Sequence, residues 1–176
     1  SSNTIIDGGG VSSVIYMNPQ TVTIDTTTLI QGFKITNGGS VSNGGGIYIS
    51  NASPEITNLS ISNNSSNTSG GGVYLSSSNL LLKNSTINSN SSTSWGGGLY
   101  SISSNFICDN IIVINNTTNN NGAGLFCKNS DPIIKNAIIS SNVSDLGGGI
   151  YYEGSDGLIE NLLIRSNSAS NGGGIY

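Results

Sequence analysis

Histidine is absent from this 176-residue chain, and only 8% of its residues are charged. Without imidazole, no Ser/His or Cys/His couple and no histidine-based zinc site can be assembled. Five Lys and Arg against nine Asp and Glu leave a net charge of −4 and no basic cluster. Nucleic acid and anionic membrane surfaces are therefore not expected as partners. No apolar run reaches the ~18 residues of a membrane span, so no membrane insertion is expected either. Two cysteines, Cys108 and Cys127, are too few for a disulfide framework and read as buried core thiols. The chain opens on Ser1-Ser2-Asn3 with neither Met nor a signal-peptide pattern, as expected of a mature product or a fragment.

What the chain has in abundance is Gly, Asn, Ser and Thr, and the glycines are periodic. Gly44-Gly-Gly-Ile-Tyr48 returns at Gly70, Gly96, Gly122 (as Gly-Ala-Gly-Leu-Phe126), Gly147 and Gly172, at intervals of 26, 26, 26, 25 and 25 residues. A period of that size marks a stack of equivalent units in place of one globular core. The second half of the unit is equally regular. It runs Ile56-Thr-Asn58-Leu-Ser-Ile61-Ser-Asn-Asn64, and its counterparts start at Leu82, Cys108, Ile134 and Ile159.

Short β-branched runs bounded by Gly, Asn and Ser read as strands, and no stretch carries a helical period. Strands in a 25-to-26-residue unit close a core only by stacking on their neighbours, which predicts an all-β parallel β-helix. A leucine-rich repeat is the other solenoid of suitable period, but its L-x-x-L-x-L pattern is missing. Six to seven coils rising by about 4.8 Å each make a rod some 30 Å long. One continuous domain is expected. Residues 1–43 would form N-terminal coil(s) with a longer loop, and residues 44–176 the regular coils starting at Gly44, Gly70, Gly96, Gly122, Gly147 and Gly172. In the N-terminal part Gly32 and Gly38 stand in the two asparagine columns, and Val14-Ile-Tyr16 stands for Gly-Ile-Tyr. Tyr16 precedes Tyr48 by 32 residues, six more than the later spacing of 26.

Stacking assigns each column a job. Ile47, Val73, Leu99, Leu125 and Ile150, with Ile61, Ile87, Val113, Ile139 and Ile164, should face the core. Asn58, Asn84, Asn110, Asn136 and Asn161 should form a vertical amide ladder at a bend that needs left-handed backbone. The glycines should mark a second corner with positive φ. The aromatic column Tyr48, Tyr74, Tyr100, Phe126, Tyr151 and Tyr176 should point outward. It is the candidate binding surface, with Trp95 in the loop beside it, although cross-strand stabilisation is the plainer use of such a row. Gln31, Thr57, Lys83, Asp109, Lys135 and Glu160 form a column whose sign alternates over four coils, the pattern of a salt-bridge ladder; Lys128 and Glu153 make a further pair. Asp131 and Asp156 are the one carboxylate pair expected to be close. They lack the extra ligand oxygens of a calcium repeat, so no metal, cofactor or catalytic residue is assigned. Sequons such as Asn51-Ala-Ser, Asn64-Ser-Ser, Asn84-Ser-Thr, Asn116-Thr-Thr and Asn142-Val-Ser permit glycosylation.

The order Ile-x-x-Asn, polar loop, Gly-Gly-Gly-Ile-Tyr, seen in Ile164-Arg-Ser-Asn167 followed by Gly172-Gly-Gly-Ile-Tyr176, resembles the FxxN and GGA(I/L/V) repeats of the polymorphic outer membrane proteins. It is similar more widely to right-handed parallel β-helix repeats of bacterial surface proteins. Ile or Val replaces the family's Phe, and a third Gly its Ala. The resemblance implies a right-handed helix and an extracellular or cell-surface location. The expected function is a non-enzymatic structural or adhesive rod, associating end to end or continuing into a longer array, with a host or cell-surface glycan or protein as partner. A carbohydrate-binding or carbohydrate-cleaving β-helix is the alternative. Ice binding is a third, disfavoured because no Thr column persists beyond two coils.

Overall fold

The computed structural model describes residues 4–176, and every strand pairing in it is parallel. A nine-stranded sheet runs from Ile5–Asp7 through Lys34–Thr36, Ser60–Ser62, Leu81–Asn88, Ile107–Ile114 and Ile133–Ser140 to Leu158–Arg165, with Leu29–Gln31 and Glu55–Thr57 alongside. A six-stranded sheet stacks Ile15–Met17, Ile47–Ser50, Val73–Ser76, Leu99–Ile102, Leu125–Lys128 and Ile150–Glu153, one strand per turn. A short third sheet joins Ser65–Ser66, Ser91–Ser92 and Thr117–Thr118. Partners are one repeat apart, as in Leu99 with Leu125 and Lys83 with Asp109. The chain is a β-solenoid in which each residue lies on its counterpart.

The long strands are bent. Asn58, Asn84, Asn110, Asn136 and Asn161 all have φ between 48° and 55°, and the register of Leu81–Asn88 with Ile107–Ile114 passes over Asn84. In the preceding turn the same span is two strands, Glu55–Thr57 and Ser60–Ser62, both pairing Leu81–Asn88. Asparagine accepts left-handed backbone with less strain than other non-glycine residues, which explains its use at this corner. Gly32 takes the same position in the first turn with φ 79°.

The expected amide ladder at this corner is only partial. Asn110 donates to Asn84 (2.8 Å) and Asn161 to Asn136 (2.7 Å), but Asn136 turns to the Asp109 carboxylate, which breaks the series. These amides are exposed, so water competes for them. The continuous ladder lies one column on, at Asn64, Asn90, Asn116, Asn142 and Asn167. Each Nδ2 donates to the next Oδ1 at 2.9–3.1 Å and also to a backbone carbonyl of the turn before, as Asn116 does to Ile87. From Asn90 to Asn167 each Oδ1 also accepts from the backbone N–H of the preceding asparagine, as Asn116 does from Asn90, and Asn64 Oδ1 accepts from the Gly38 N–H at 2.9 Å. An amide has two donor hydrogens and two acceptor lone pairs, and in Asn90, Asn116 and Asn142 all four are used. Asn64, Asn90, Asn116 and Asn142 are no more than 1% exposed.

A second internal ladder, of serine hydroxyls, was not expected. Ser104 Oγ accepts from the Ser78 N–H (3.1 Å) and Ser130 Oγ from the Ser104 N–H (3.0 Å), and both hydroxyls donate back to carbonyls of their own strands. Aliphatic columns fill the remaining interior: Ile47, Val73, Leu99, Leu125 and Ile150 are fully buried, as are Ile61, Ile87, Val113 and Ile139. The long loop before Thr28 contributes Ile24, partly buried against this core, whose carbonyl accepts from the Ser53 N–H.

The glycine triplet is a corner coupled to the ladder. Its first residue has φ of 59–67° from Gly44 to Gly172. A Cβ on the third would meet both a carbonyl oxygen of the adjacent coil and the buried amide: at Gly98, the Gly124 oxygen at 2.6 Å and Asn116 Cγ at 3.1 Å. Asn116→Ala is expected to lower stability by about 3 kcal/mol, because it strands buried donors and acceptors and leaves a cavity. Asn110→Gly keeps the backbone angle and loses an exposed bond, at a cost below about 1 kcal/mol. Urea denaturation of the two variants would check the contrast.

Candidate functional site

The aromatic column is built by the outward positions of the six-stranded sheet. Its rings stack from Tyr48 through Tyr74, Tyr100, Phe126 and Tyr151 to Tyr176, with neighbouring centroids 4.7–5.4 Å apart and planes within 24° of parallel. Tyr16 extends the row by one ring at 4.7 Å from Tyr48. That ring was visible in Val14-Ile15-Tyr16 but stood apart because of the longer loop after it. Trp95 lies over the middle of the row, 6.4 Å from Tyr100 and from Phe126, and these two rings are buried.

This geometry decides what the row can do. Ring faces are the surfaces that sugars or a docking chain would use, and here each face is covered by the next ring. Edges and hydroxyls of Tyr48, Tyr74 and Tyr151 remain partly accessible. The terminal rings are the open ones, Tyr16 at 63% exposure and Tyr176 at 52%. A shallow depression of about 410 Å³ lies beside the first of these, lined by Ser12, Ser13, Tyr16, Val41, Ser42, Asn43 and Tyr48.

The charged column closes one rung of the expected ladder, Lys135 to Asp109 at 3.5 Å. Lys83 instead pairs with Glu55 one column away at 3.2 Å, and Lys128 meets Glu153 at 2.6 Å. The Asn136 amide, with Lys135 second, holds the Asp109 carboxyl below its ordinary value. Asp131 and Asp156 do come together, as rungs of a corner: Asp131 Oδ1 accepts from the Asp156 N–H at 2.7 Å, and the Asp131 N–H donates to Asn105 at 2.9 Å. Among the described residues no group of three His, Cys, Asp or Glu is placed to hold a metal ion. No helix is long and apolar enough to cross a membrane.

Cys108 and Cys127 are free thiols with no exposed surface. Burial pushes the Cys127 thiol up to about 12 and the Cys108 thiol further, the latter also through its neighbour Cys127. Tyr152 enters the core beside them, and burial and both thiols raise its phenol. Of the sequon asparagines, Asn51 and Asn84 are exposed, whereas Asn64, Asn116 and Asn142 are rungs of the buried ladder and closed to modification.

A chain of parallel turns joined by an internal amide ladder and an outer aromatic stack is a parallel β-solenoid. Residues 1–176 match the family model described as a right handed beta helix region, and the chain belongs to that family. No curated protein and no solved structure matches it.

The buried thiols and tyrosines predict an alkaline limit. Cys127 rises from 9.0 to about 12, and burial raises Tyr100 from 10.0 to about 12. Groups raised on folding stabilise fully below their unfolded values, and that contribution is lost as pH climbs through the folded ones. The melting temperature should therefore hold up to pH 9 and fall between 9 and 12. In the native protein neither thiol should react with an aromatic disulfide reagent at pH 8, and both should react in denaturant. A thermal scan against pH and a thiol titration check the two statements.

Proposed function

We propose that this protein is a non-enzymatic, extracellular structural or adhesive rod, its surface carried on a regular β-helix. The observation behind this reading is that several of the groups able to do chemistry are engaged in holding turns together. Asp131 binds the backbone of the next turn, Asp109 is held by Asn136 and Lys135, both thiols lie in the core, and the aromatic faces cover one another. The motif likeness to polymorphic outer membrane proteins supports a place at the cell surface. Apolar residues of the last turn, including Ile159 and Ile175 at 40% exposure each, suit coverage by a further turn, from the same polypeptide or from a second copy meeting it end to end.

A carbohydrate-binding role is the second reading, favoured by the depression where Tyr16 offers an open ring beside Ser12, Ser42 and Asn43. An aromatic platform with neighbouring hydroxyl and amide groups suits a sugar ring. The two readings part in one experiment. The protein is passed over arrayed glycans and immobilised matrix proteins, and incubated with polysaccharides while chain length is followed. A rod with an adhesive role binds without shortening any polysaccharide, and Asp131→Asn leaves binding intact. Chain cleavage that Asp131→Asn abolishes would overturn the rod. Binding of a glycan lost in Tyr16→Ala, with no cleavage, would establish the second reading.

A further inference from the structure

One outer face of the solenoid carries two neighbouring columns of different character. Leu81, Ile107, Ile133 and Leu158 stack in the first, and three of them are exposed, Ile107 at 36%, Ile133 at 37% and Leu158 at 56%. Lys83, Asp109, Lys135 and Glu160 stack two residues further along the same strands. The outward direction of both follows from the buried residues between them, Leu82, Cys108 and Ile134. An aliphatic strip beside a strip reading plus, minus, plus, minus is an uncommon use of exposed surface, because large apolar side chains in contiguous rows mark contact sites.

We infer that this face pairs with the same face of a second copy of the chain, the two solenoids running antiparallel. Symmetry selects the arrangement. A two-fold axis lying along the strands lays each column on its own counterpart and reverses the order of turns. Lys83 then faces Glu160 of the second copy and Asp109 faces Lys135, while Leu81 faces Leu158 and Ile107 faces Ile133. Each charge of the second column meets its opposite and each aliphatic side chain of the first meets another. The column two residues earlier agrees, since Asn79 would face Asp156 and Asn105 would face Asp131.

Other arrangements fail on the same residues. Sliding the antiparallel pair by one turn sets Lys83 against Lys135 and Asp109 against its own copy. A two-fold axis along the solenoid mirrors the columns, so aliphatic side chains face charges. Like charges in apposition are the usual device for excluding a wrong register. Four turns at about 4.8 Å span under 20 Å, so the patch is well below the ~800 Å² per partner of a standard interface. The pair is therefore weak and depends on salt. It stands apart from the adhesive and end-to-end readings, which use other surfaces.

Sedimentation equilibrium of the 176-residue chain at low salt should show the mass rising from 18.0 kDa toward twice that value as concentration increases. Asp109→Lys, which sets lysine against Lys135 of the second copy, should weaken association at least tenfold. Adding Lys135→Asp in the same chain restores the opposed signs and should recover it, with far-UV circular dichroism confirming the fold of each variant. Orientation is read by mixing Leu81→Cys with Leu158→Cys under mild oxidation, the native thiols being buried. Antiparallel pairing predicts the mixed Leu81→Cys to Leu158→Cys disulfide and little of either homodisulfide. A particle of 18.0 kDa at every concentration, no rescue by the double change, or predominant homodisulfides would each overturn the inference.

Discussion

The structure depends on a single column of buried amides. In the column Asn64, Asn90, Asn116, Asn142 and Asn167, each side-chain amide bonds the next, and the interior ones also accept from a backbone N–H and donate to a backbone carbonyl. An unsatisfied amide in an apolar interior is costly, so a missing or shifted rung within the stack is destabilising. Aliphatic columns supply most of the apolar burial, but they permit sliding, because one Ile stacks on another with little preference for partner. The amides give the stack its register. The third glycine of the triplets from Gly46 to Gly149 belongs to the same device, since the space a Cβ would fill is occupied by the asparagine amide and a carbonyl of the adjacent turn.

Outside this frame, the rod is economical with its polar groups. Carboxylates, hydroxyls and amides at the corners satisfy backbone N–H groups of adjacent turns, as Asp131 does for Asp156 and Ser104 for Ser78. Stacked aromatics brace the outer side of one sheet, and Trp95 shields the middle of that stack. Surfaces open to recognition include the rings of Tyr16 and Tyr176, the exposed edges of the other tyrosines and the outer face bearing the alternating charges. The functional reading therefore turns on surfaces and symmetry more than on reactive groups.

Much of this was legible in the residues. The period identified a solenoid, the β-branched runs identified strands, and the aliphatic columns named the core correctly. Asparagine at the bend was recognised from its tolerance of left-handed backbone. Which asparagine column forms the continuous ladder was not. Both recur at the same spacing, and only burial separates an amide shielded from water from one that shares its bonds with it. The serine ladder leaves a trace in Ser78, Ser104, Ser130 and Ser155, spaced like the glycines, but serine is so frequent here that its recurrence alone does not single out the column. Lys83 pairing with Glu55 was hidden because a long side chain reaches diagonally across columns.

The sequence by itself determined that turns of 25 to 26 residues stack, and which residues stack on which, because a repeating pattern has one alignment and parallel strands keep it. Only the tertiary structure decided which side of each column meets water. That depends on the angle at each corner, and it separated the buried amides from the exposed ones. It closed the faces of the aromatic row, because rings held at the strand spacing cover one another. It also laid the aliphatic and alternating-charge columns side by side on a single outer face, where their symmetry can be read.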